Sequence, residues 1–536
     1  MAERGVTAEP HDVAIIGAGF AGTILARVLR SQGMDVLLVE KDRHPRFALG
    51  ESTTPLANLA LERLAARYDL PDLHHLATYG RWTEHLPHLR RGLKRGFTFF
   101  RHRPDRPFRN TQANEARLMV AASPEDRLAD THWLRSDVDH HLVQSAFAEG
   151  VDYRDGTRLV DAEPDPDGVT LTLEPDDGPE YHTRAAFVVD AGGSGGVLAR
   201  LFQIPPRVKP PRLDTGLLFA HFSGVRFLED TVLNAHLGDG PYPESRAAVH
   251  HLLRNGWMYQ LPFDHGVTSV GWVLRRDRTD IPFDVIQQDP AAAWREMLTV
   301  YPSLGALFAV AEPTTPIRFV PSLPYQHSRS AGPRWFLLPQ AYAFFDPMFS
   351  IGMAWSLNAV ERLAEVLVNG HDNWRSYGYL LNHEADQIRY LTEAAYLAMD
   401  DFERFTSVCL LYFATVSYSE IQQRLTDTQD RTPAWDGFLG ARDPVVQSLL
   451  VQARDRLMHA DESLEGFGDW VRRRIEPRDI AGLASPKIPN LFPVDLDLLV
   501  ERSRLLGLEP EDMIAALPKL RGDADETGAS SPGKES

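Results

Sequence analysis

Apolar runs and glycine punctuation alternate sharply over the first forty residues. Val13 to Ile16 is a short, mostly β-branched run that reads as a buried strand. Glycines follow at once. Ile24, Leu25, Val28 and Leu29 then recur at helical spacing, and Gly33 stops the helix. Val36 to Val39 is a second apolar strand, ending at Glu40. These pieces predict a compact β-α-β unit. A mixed region follows to about residue 370, with strand-like pieces at Val169–Leu173, Phe187–Val189 and Val267–Leu274 and turns such as Pro164–Gly168. From Trp374 the texture changes. Residues 384–425 are rich in Ala, Leu, Glu and aromatics with few breakers, and 440–520 read as helical too, apart from a loop at Ser485–Pro493.

The pattern predicts an α/β protein: a Rossmann-type nucleotide-binding domain, an inserted β-sheet substrate domain, and a helical C-terminal region. The expected divisions are a flexible N-terminus over 1–11, a discontinuous core over 12–370, a helical cover over 371–520, and a disordered Gly/Ser/Asp/Glu tail over 521–536.

Composition narrows this picture. A chain of 536 residues is too long for one simple core. A formal charge of −18 argues against nucleic acid or an anionic membrane as partner, since counterion release needs a basic surface. Cys409 is the one cysteine, which excludes a disulfide framework and a thiolate zinc site. No metal is expected. The paired histidines at 140–141 and 250–251 lack a partnered ligand pattern and read as core or surface residues. Residues 1–11 lack the apolar segment of a signal peptide, and no uninterrupted apolar run reaches membrane-spanning length. The expectation is a cytoplasmic protein.

The first chemistry-bearing motif is Gly17-Ala18-Gly19-Phe20-Ala21-Gly22, a G-x-G-x-x-G between strand and helix. Gly17 permits the tight turn, Gly19 lets backbone approach a pyrophosphate, and Gly22 lets helix and strand pack closely. Amide N–H groups of the helix start, Ala18 and Ala21 among the loop residues, face the phosphates. Glu40, at the end of the second strand, suits ribose hydroxyls and disfavours a 2′-phosphate.

Further segments resemble known flavoproteins. Phe187–Gly193, with Asp190, resembles the second cofactor segment of flavoprotein monooxygenases, and Trp133–Asp139, with Arg135, resembles their arginine-bearing helix. No second G-x-G-x-x-G offers a nicotinamide site, so FAD is the expected cofactor. Four stretches within residues 10–370 together resemble the flavin-dependent halogenases. Gly50-Glu51-Ser52-Thr53-Thr54-Pro55 resembles the start of their strap loop, which joins flavin and substrate sites, and places Glu51 and Ser52 at the cofactor. Gly92–Phe100 resembles the segment of the catalytic lysine, here Lys94. Arg90, Arg91, Arg95, Arg101 and Arg103 crowd around it, so by itself it reads as part of a solvated basic face. Phe345-Asp346-Pro347-Met348-Phe349-Ser350-Ile351-Gly352 resembles F-x-P-x-x-S-x-G. There Asp346 and Gly352 are expected beside the flavin, Ser350, Ile351 and Gly352 at the halide, and Ser350 as helix N-cap, with Gly370 ending that helix. Trp257–Pro262 is a degraded W-x-W-x-I-P, with Trp257 and Tyr259, like Phe349, assigned to the substrate pocket.

Two departures matter. Tryptophan halogenases carry a glutamate directly before the serine of the third segment, where this chain has Phe349; that points to an electron-rich phenol. Most of these flavoproteins have Gly-Asp-Ala where this chain has Pro339-Gln340-Ala341, which suggests lighter binding of the flavin's far end. The resemblance implies that a separate reductase supplies reduced FAD. Oxygen and chloride or bromide then yield hypohalous acid, which reaches Lys94 and the ring. Aromatics at Phe402, Phe405, Tyr412, Phe413 and Tyr418 are available to line the substrate site, although most are expected to be core. The substrate is expected free or tethered to a carrier protein. A flavin hydroxylase and a non-catalytic flavoprotein remain open as alternatives, since fold does not fix function.

Overall fold

The computed structural model describes residues 10–207, 213–231, 239–369, 373–426, 433–459 and 466–520. The expected tail, residues 1–9 and Gly370 lie outside them.

The predicted β-α-β unit forms as read. Strand β1 (His11–Ile16), helix α1 (Phe20–Ser31) and strand β2 (Val36–Val39) follow in order, and Gly33 adopts φ +80° after the helix. The first strand starts at His11, within the segment expected to be flexible, because His11 is buried and pairs in register with Ala185. Strand β1 lies between β2 and Tyr181–Asp190, parallel to both. Its neighbours on both sides are apolar, which explains a run with no polar alternation. Trp335–Leu337 extends this eight-stranded sheet beyond Tyr181–Asp190, and Asp152–Arg154 closes its other side.

A second, nine-stranded sheet is mainly antiparallel. Thr215–Ser223, Val267–Arg275, Gly256–Pro262 and Ala248–Leu253 lead to strands β4 (Gly96–Arg101) and β5 (Arg117–Ala121). Two short strands, β3 (Arg91–Lys94) and β6 (Asp130–Trp133), pair separately and antiparallel. The region expected to be helical contains helices Trp374–Ala398 and Phe402–Thr426. It also adds strand Leu491–Phe492 to β5, inside the expected loop. The sheet's edge offers Met119 and Val120 as pairing partners, a tertiary cue that two residues cannot announce. The C-terminal helices are not a detachable cover. One apolar core runs from Val13 through Leu363 and Phe405 to Phe492. No described helix is long and apolar enough to cross a membrane.

The helix Ile351–Asn369 is tied to its neighbours by a buried charge pair. Arg362 donates to Glu384 at 2.6 Å, with both side chains wholly excluded from solvent. The carboxylate also accepts from Trp355 Nε1 at 2.9 Å and from the Phe438 amide at 2.8 Å. Removing one partner leaves an uncompensated buried charge. Glu384→Ala is therefore expected to destabilise the protein by about 3–5 kcal/mol in urea unfolding.

Candidate active site

The glycine loop is built by exclusion. A Cβ on Gly17 would lie 2.6 Å from the Ala191 carbonyl oxygen, and one on Gly22 would lie 2.1 Å from that of Gly17. The loop thus packs directly on the backbone that follows strand Tyr181–Asp190. Beside Gly19 stand two guanidinium groups, Arg135 and Arg46, with nitrogens 3.4 and 3.7 Å from where a Cβ would sit. Glu40 accepts from the Ala18 amide at 3.0 Å, from Arg46 at 2.9 Å and from the Asp42 amide at 3.1 Å. A carboxylate has about four acceptor positions, so one remains for a ribose hydroxyl.

Arg135 opens the expected helix, Arg135–Ala148. It pairs with Asp139 at 2.8 Å, lies over the Phe20 ring at 4.8 Å, and donates to the carbonyls of Leu49 and Gly50. Asp190 has different partners from those expected. Its buried carboxylate accepts from the amides of Gly192 at 2.9 Å and Leu198 at 2.8 Å, which folds the loop after its strand. Burial pushes it up to about 6. What reaches the glycine loop from this segment is the Ala191–Gly192 backbone.

From Arg135 the strap runs to Lys94. Glu51 O accepts from the Trp133 amide, Ser52 bridges to His132, and the Thr53 amide donates to Thr131 O at 3.0 Å. The Glu51 side chain meets His221 Nε2 at 2.8 Å, on strand Thr215–Ser223. The Ser52 hydroxyl is buried without a hydrogen-bond partner. Lys94 ends β3, is 0% exposed, donates to the Thr53 carbonyl, and holds its ammonium 4.0 Å over the Phe97 ring. It is not part of a solvated basic face; Arg90, by contrast, is exposed and paired with Asp137. Burial lowers the lysine, against the pull of Asp130. It also keeps His250 down, at about 3, and His132 well below its ordinary range.

The aromatic segments close around this group. Tyr412, on helix Phe402–Thr426, stacks on Phe349 at 4.7 Å, donates to the Phe349 carbonyl at 2.9 Å, and meets Phe97 edge-on at 6.2 Å. Phe413 and Phe405 pack against Phe97 and Phe99. Tyr418 turns away, into a separate cluster with Ile480, Leu499 and Met513. Trp257 donates to the Tyr396 hydroxyl at 3.2 Å, and Tyr396 donates to Asp346. The other Asp346 oxygen accepts from the Met348 amide at 2.9 Å. Asp346, expected at the flavin, is thus held within this network, and burial pushes it up to about 7. Tyr259 is buried, and its ring lies where a Cβ on Gly271 would otherwise be.

Ser350, expected as the helix N-cap, does not take the extended conformation usual for a cap. It stands just before helix Ile351–Asn369 at φ +52°, with its amide bonded to Pro347 O at 3.0 Å. The Asp346–Pro347 turn forces this left-handed step. The next residues, Ile351 and Gly352, begin the helix, and Gln340 Nε2 lies 3.5 Å from the Gly352 carbonyl oxygen.

Known proteins share this sequence pattern and fold. Residues 10–226 match the family model for an FAD binding domain. The chain is 28% identical to monodechloroaminopyrrolnitrin halogenase PrnC of Pseudomonas fluorescens, over 83% of this chain and 73% of that protein. It is 29% identical to tetracycline 7-halogenase of Kitasatospora aureofaciens, over 66% of this chain and 63% of that one. These matches support a flavin-dependent halogenase family for the chain. The crystal structure of halogenase PltM in complex with phloroglucinol and FAD shares its fold, with a TM-score of 0.79 at 22% identity, covering 90% of this chain and 99% of that one.

The protein is an FAD-dependent oxidoreductase, and its residues fit the cofactor: a glycine loop in which a Cβ at Gly17 or Gly22 would strike backbone, flanked by Arg135, Arg46 and Glu40. Sequence reasoning missed Arg46, His221, Asp130 and Tyr396. Arg46 follows Glu40 closely enough to have been considered; the others arrive only by strand register and helix packing. Gly22→Val would force the loop off Gly17. Overpacking of this kind costs about 1–3 kcal/mol, so FAD is expected to bind about ten- to a hundredfold more weakly in fluorescence titration, with far-ultraviolet circular dichroism retained.

Proposed function

We propose that this halogenase places chlorine or bromine on an electron-rich, phenolic small molecule, with Lys94 as the catalytic residue. The observation that carries this reading is the position of Lys94: wholly buried, over Phe97, with Tyr412 linking that ring to Phe349 and so to the start of helix Ile351–Asn369. Ile351 and Gly352 offer amides of a helix start to halide, beside Ser350. Phe349 supplies a flat apolar wall and no carboxylate. A phenol ring, already activated, needs none. The PltM complex with phloroglucinol supports a substrate of this class. A carrier-tethered substrate also has precedent, in the 1H-pyrrole-2-carbonyl-[peptidyl-carrier protein] brominase of Pseudoalteromonas luteoviolacea, 26% identical. A separate reductase supplies the reduced cofactor.

Bound reduced FAD supplies the electrons by which oxygen and halide become hypohalous acid. The chain's own residues do the rest. The Lys94 ammonium donates to the hypohalous oxygen and draws electron density from the oxygen–halogen bond. The ring carbon bonds to halogen, that bond breaks with its pair on oxygen, and oxygen takes a proton from Lys94 to leave as water. The neutral amine then takes the ring proton, which restores aromaticity and the ammonium. Apolar walls at Phe97, Phe349 and Trp257 exclude water, which strengthens each of these hydrogen bonds.

The test supplies reduced FAD, oxygen and bromide with a phenol panel that includes phloroglucinol, read by mass spectrometry. Brominated product is expected. Lys94→Ala is expected to keep FAD affinity and lose about a hundredfold or more of halogenation. Hydroxylated products formed without bromide would overturn the reading in favour of a hydroxylase.

A further inference from the structure

Lys94 faces one carboxylate across the β3–β6 pair. Its register partner is Asp130, and cross-strand partners project to the same face. Asp130 is 2% exposed. One of its oxygens accepts from Asn58 Nδ2 at 2.7 Å, on helix α2 (Pro55–Tyr68), which continues the strap. The other oxygen is buried with no hydrogen-bond partner. Lys94 itself donates to the Thr53 carbonyl and feels Asp130 through space. A buried carboxylate held by a neutral amide, with one free oxygen opposite a buried lysine, lacks the cation partner that a structural ion pair would give it.

Resting on the reading of Lys94 as catalytic, we propose that Asp130 is its positioning residue: the carboxylate sustains the Lys94 ammonium in a site that otherwise favours the neutral amine, and Asn58 fixes the carboxylate for that task. The other groups around Lys94 do not serve. His132 on β6 and His250 on strand Ala248–Leu253 oppose a positive charge, and burial keeps both neutral. The Phe97 ring and Thr53 carbonyl favour the ammonium but carry no net charge. Behind Asp130 stand Tyr412, Glu420 and Arg424 on helix Phe402–Thr426, and Arg424 is engaged by Glu62 and Glu420. Burial raises Asp130, while the Lys94 ammonium and the Asn58 amide favour its ionised form, so on the alkaline side, where Lys94 titrates, it is the anion in reach of Lys94. In a low-dielectric site such a charge acts strongly without contact.

The sign follows directly. Burial lowers Lys94, and the Asp130 charge raises it. Asp130→Asn removes the second influence and keeps the first, so the lysine midpoint falls. Asn58→Leu removes the amide that favours the ionised carboxylate, so Asp130 takes up a proton more readily and the lysine midpoint falls as well. The full chain contains six lysines. Carbon-13 labelling of lysine Cε therefore gives few signals, and the one missing in Lys94→Arg is that of Lys94. NMR titration is expected to move the Lys94 midpoint down by about one pH unit or more in Asp130→Asn, and down by less in Asn58→Leu. Asp130→Glu restores the parent value. The alkaline limb of phloroglucinol bromination moves in the same direction as the midpoint, with FAD affinity unchanged. An unshifted midpoint in Asp130→Asn overturns the proposal. So does an alkaline limb that stays in place while the rate falls uniformly. Should Asp130→Asn fail to fold, an unshifted midpoint in Asn58→Leu overturns it alone. A parent chain that halogenates no phenol refutes the proposed substrate instead, and the titration still decides the role of Asp130.

Discussion

The Thr53 carbonyl accepts the ammonium of Lys94 in a place where neither has water as an alternative partner. An unmet buried charge is among the costliest defects a fold can carry, so the position of Thr53 is not free. It is fixed by β6: Thr131 and Thr53 exchange main-chain and hydroxyl hydrogen bonds, and Trp133 takes the Glu51 carbonyl just before. Three and four residues before Thr53, the carbonyls of Gly50 and Leu49 hold Arg135 beside the glycine loop. One short stretch of extended main chain therefore ties the cofactor end of the site to the lysine end.

That connection separates the two ends as well as joining them. Near Gly19 the side chains are charged and partly paired, as a pyrophosphate requires. The Lys94 ammonium lies over Phe97, and Tyr412 meets that ring edge-on while stacking on Phe349. The change from a polar to an apolar setting follows from strand alternation and from the helix Phe402–Thr426 laid over β4. It also explains why the helical C-terminal region shares one core with the sheets. The region supplies Tyr412 and Tyr396, without which the Phe349 and Asp346 segment would have no far wall.

The parts legible in the sequence are those in which chemistry and geometry are local. The β-α-β unit and its glycines are contiguous, and each glycine answers a clash within a few residues or with one neighbouring strand. Lys94 was legible only through the segments that accompany it, since its own neighbourhood is full of arginines. Asp130 was not legible. Nothing in Leu128–Trp133 announces a functional acid; the role proposed for it rests on the register that sets it opposite Lys94. Tyr396 and His221 are hidden for the same reason. Ser350 shows the converse limit. Serine before a helix reads as a cap, yet the Asp346–Pro347 turn, closed by the Met348 amide, delivers the chain to that point at positive φ.

Gln340 fits the electrostatics of this arrangement. It sits over the start of helix Ile351–Asn369, close enough that a Cβ on Gly352 would approach its amide nitrogen to 2.9 Å. The helix start carries a partial positive charge, which is the property the proposed halide site relies on. A carboxylate at position 340 would sit beside that charge and compete with a halide for it. The neutral amide of Gln340 is directed instead at the Gly352 carbonyl, which leaves the helix start uncompensated. The substitution that looked like a loss of grip on the cofactor thereby also keeps a negative charge away from the proposed halide site.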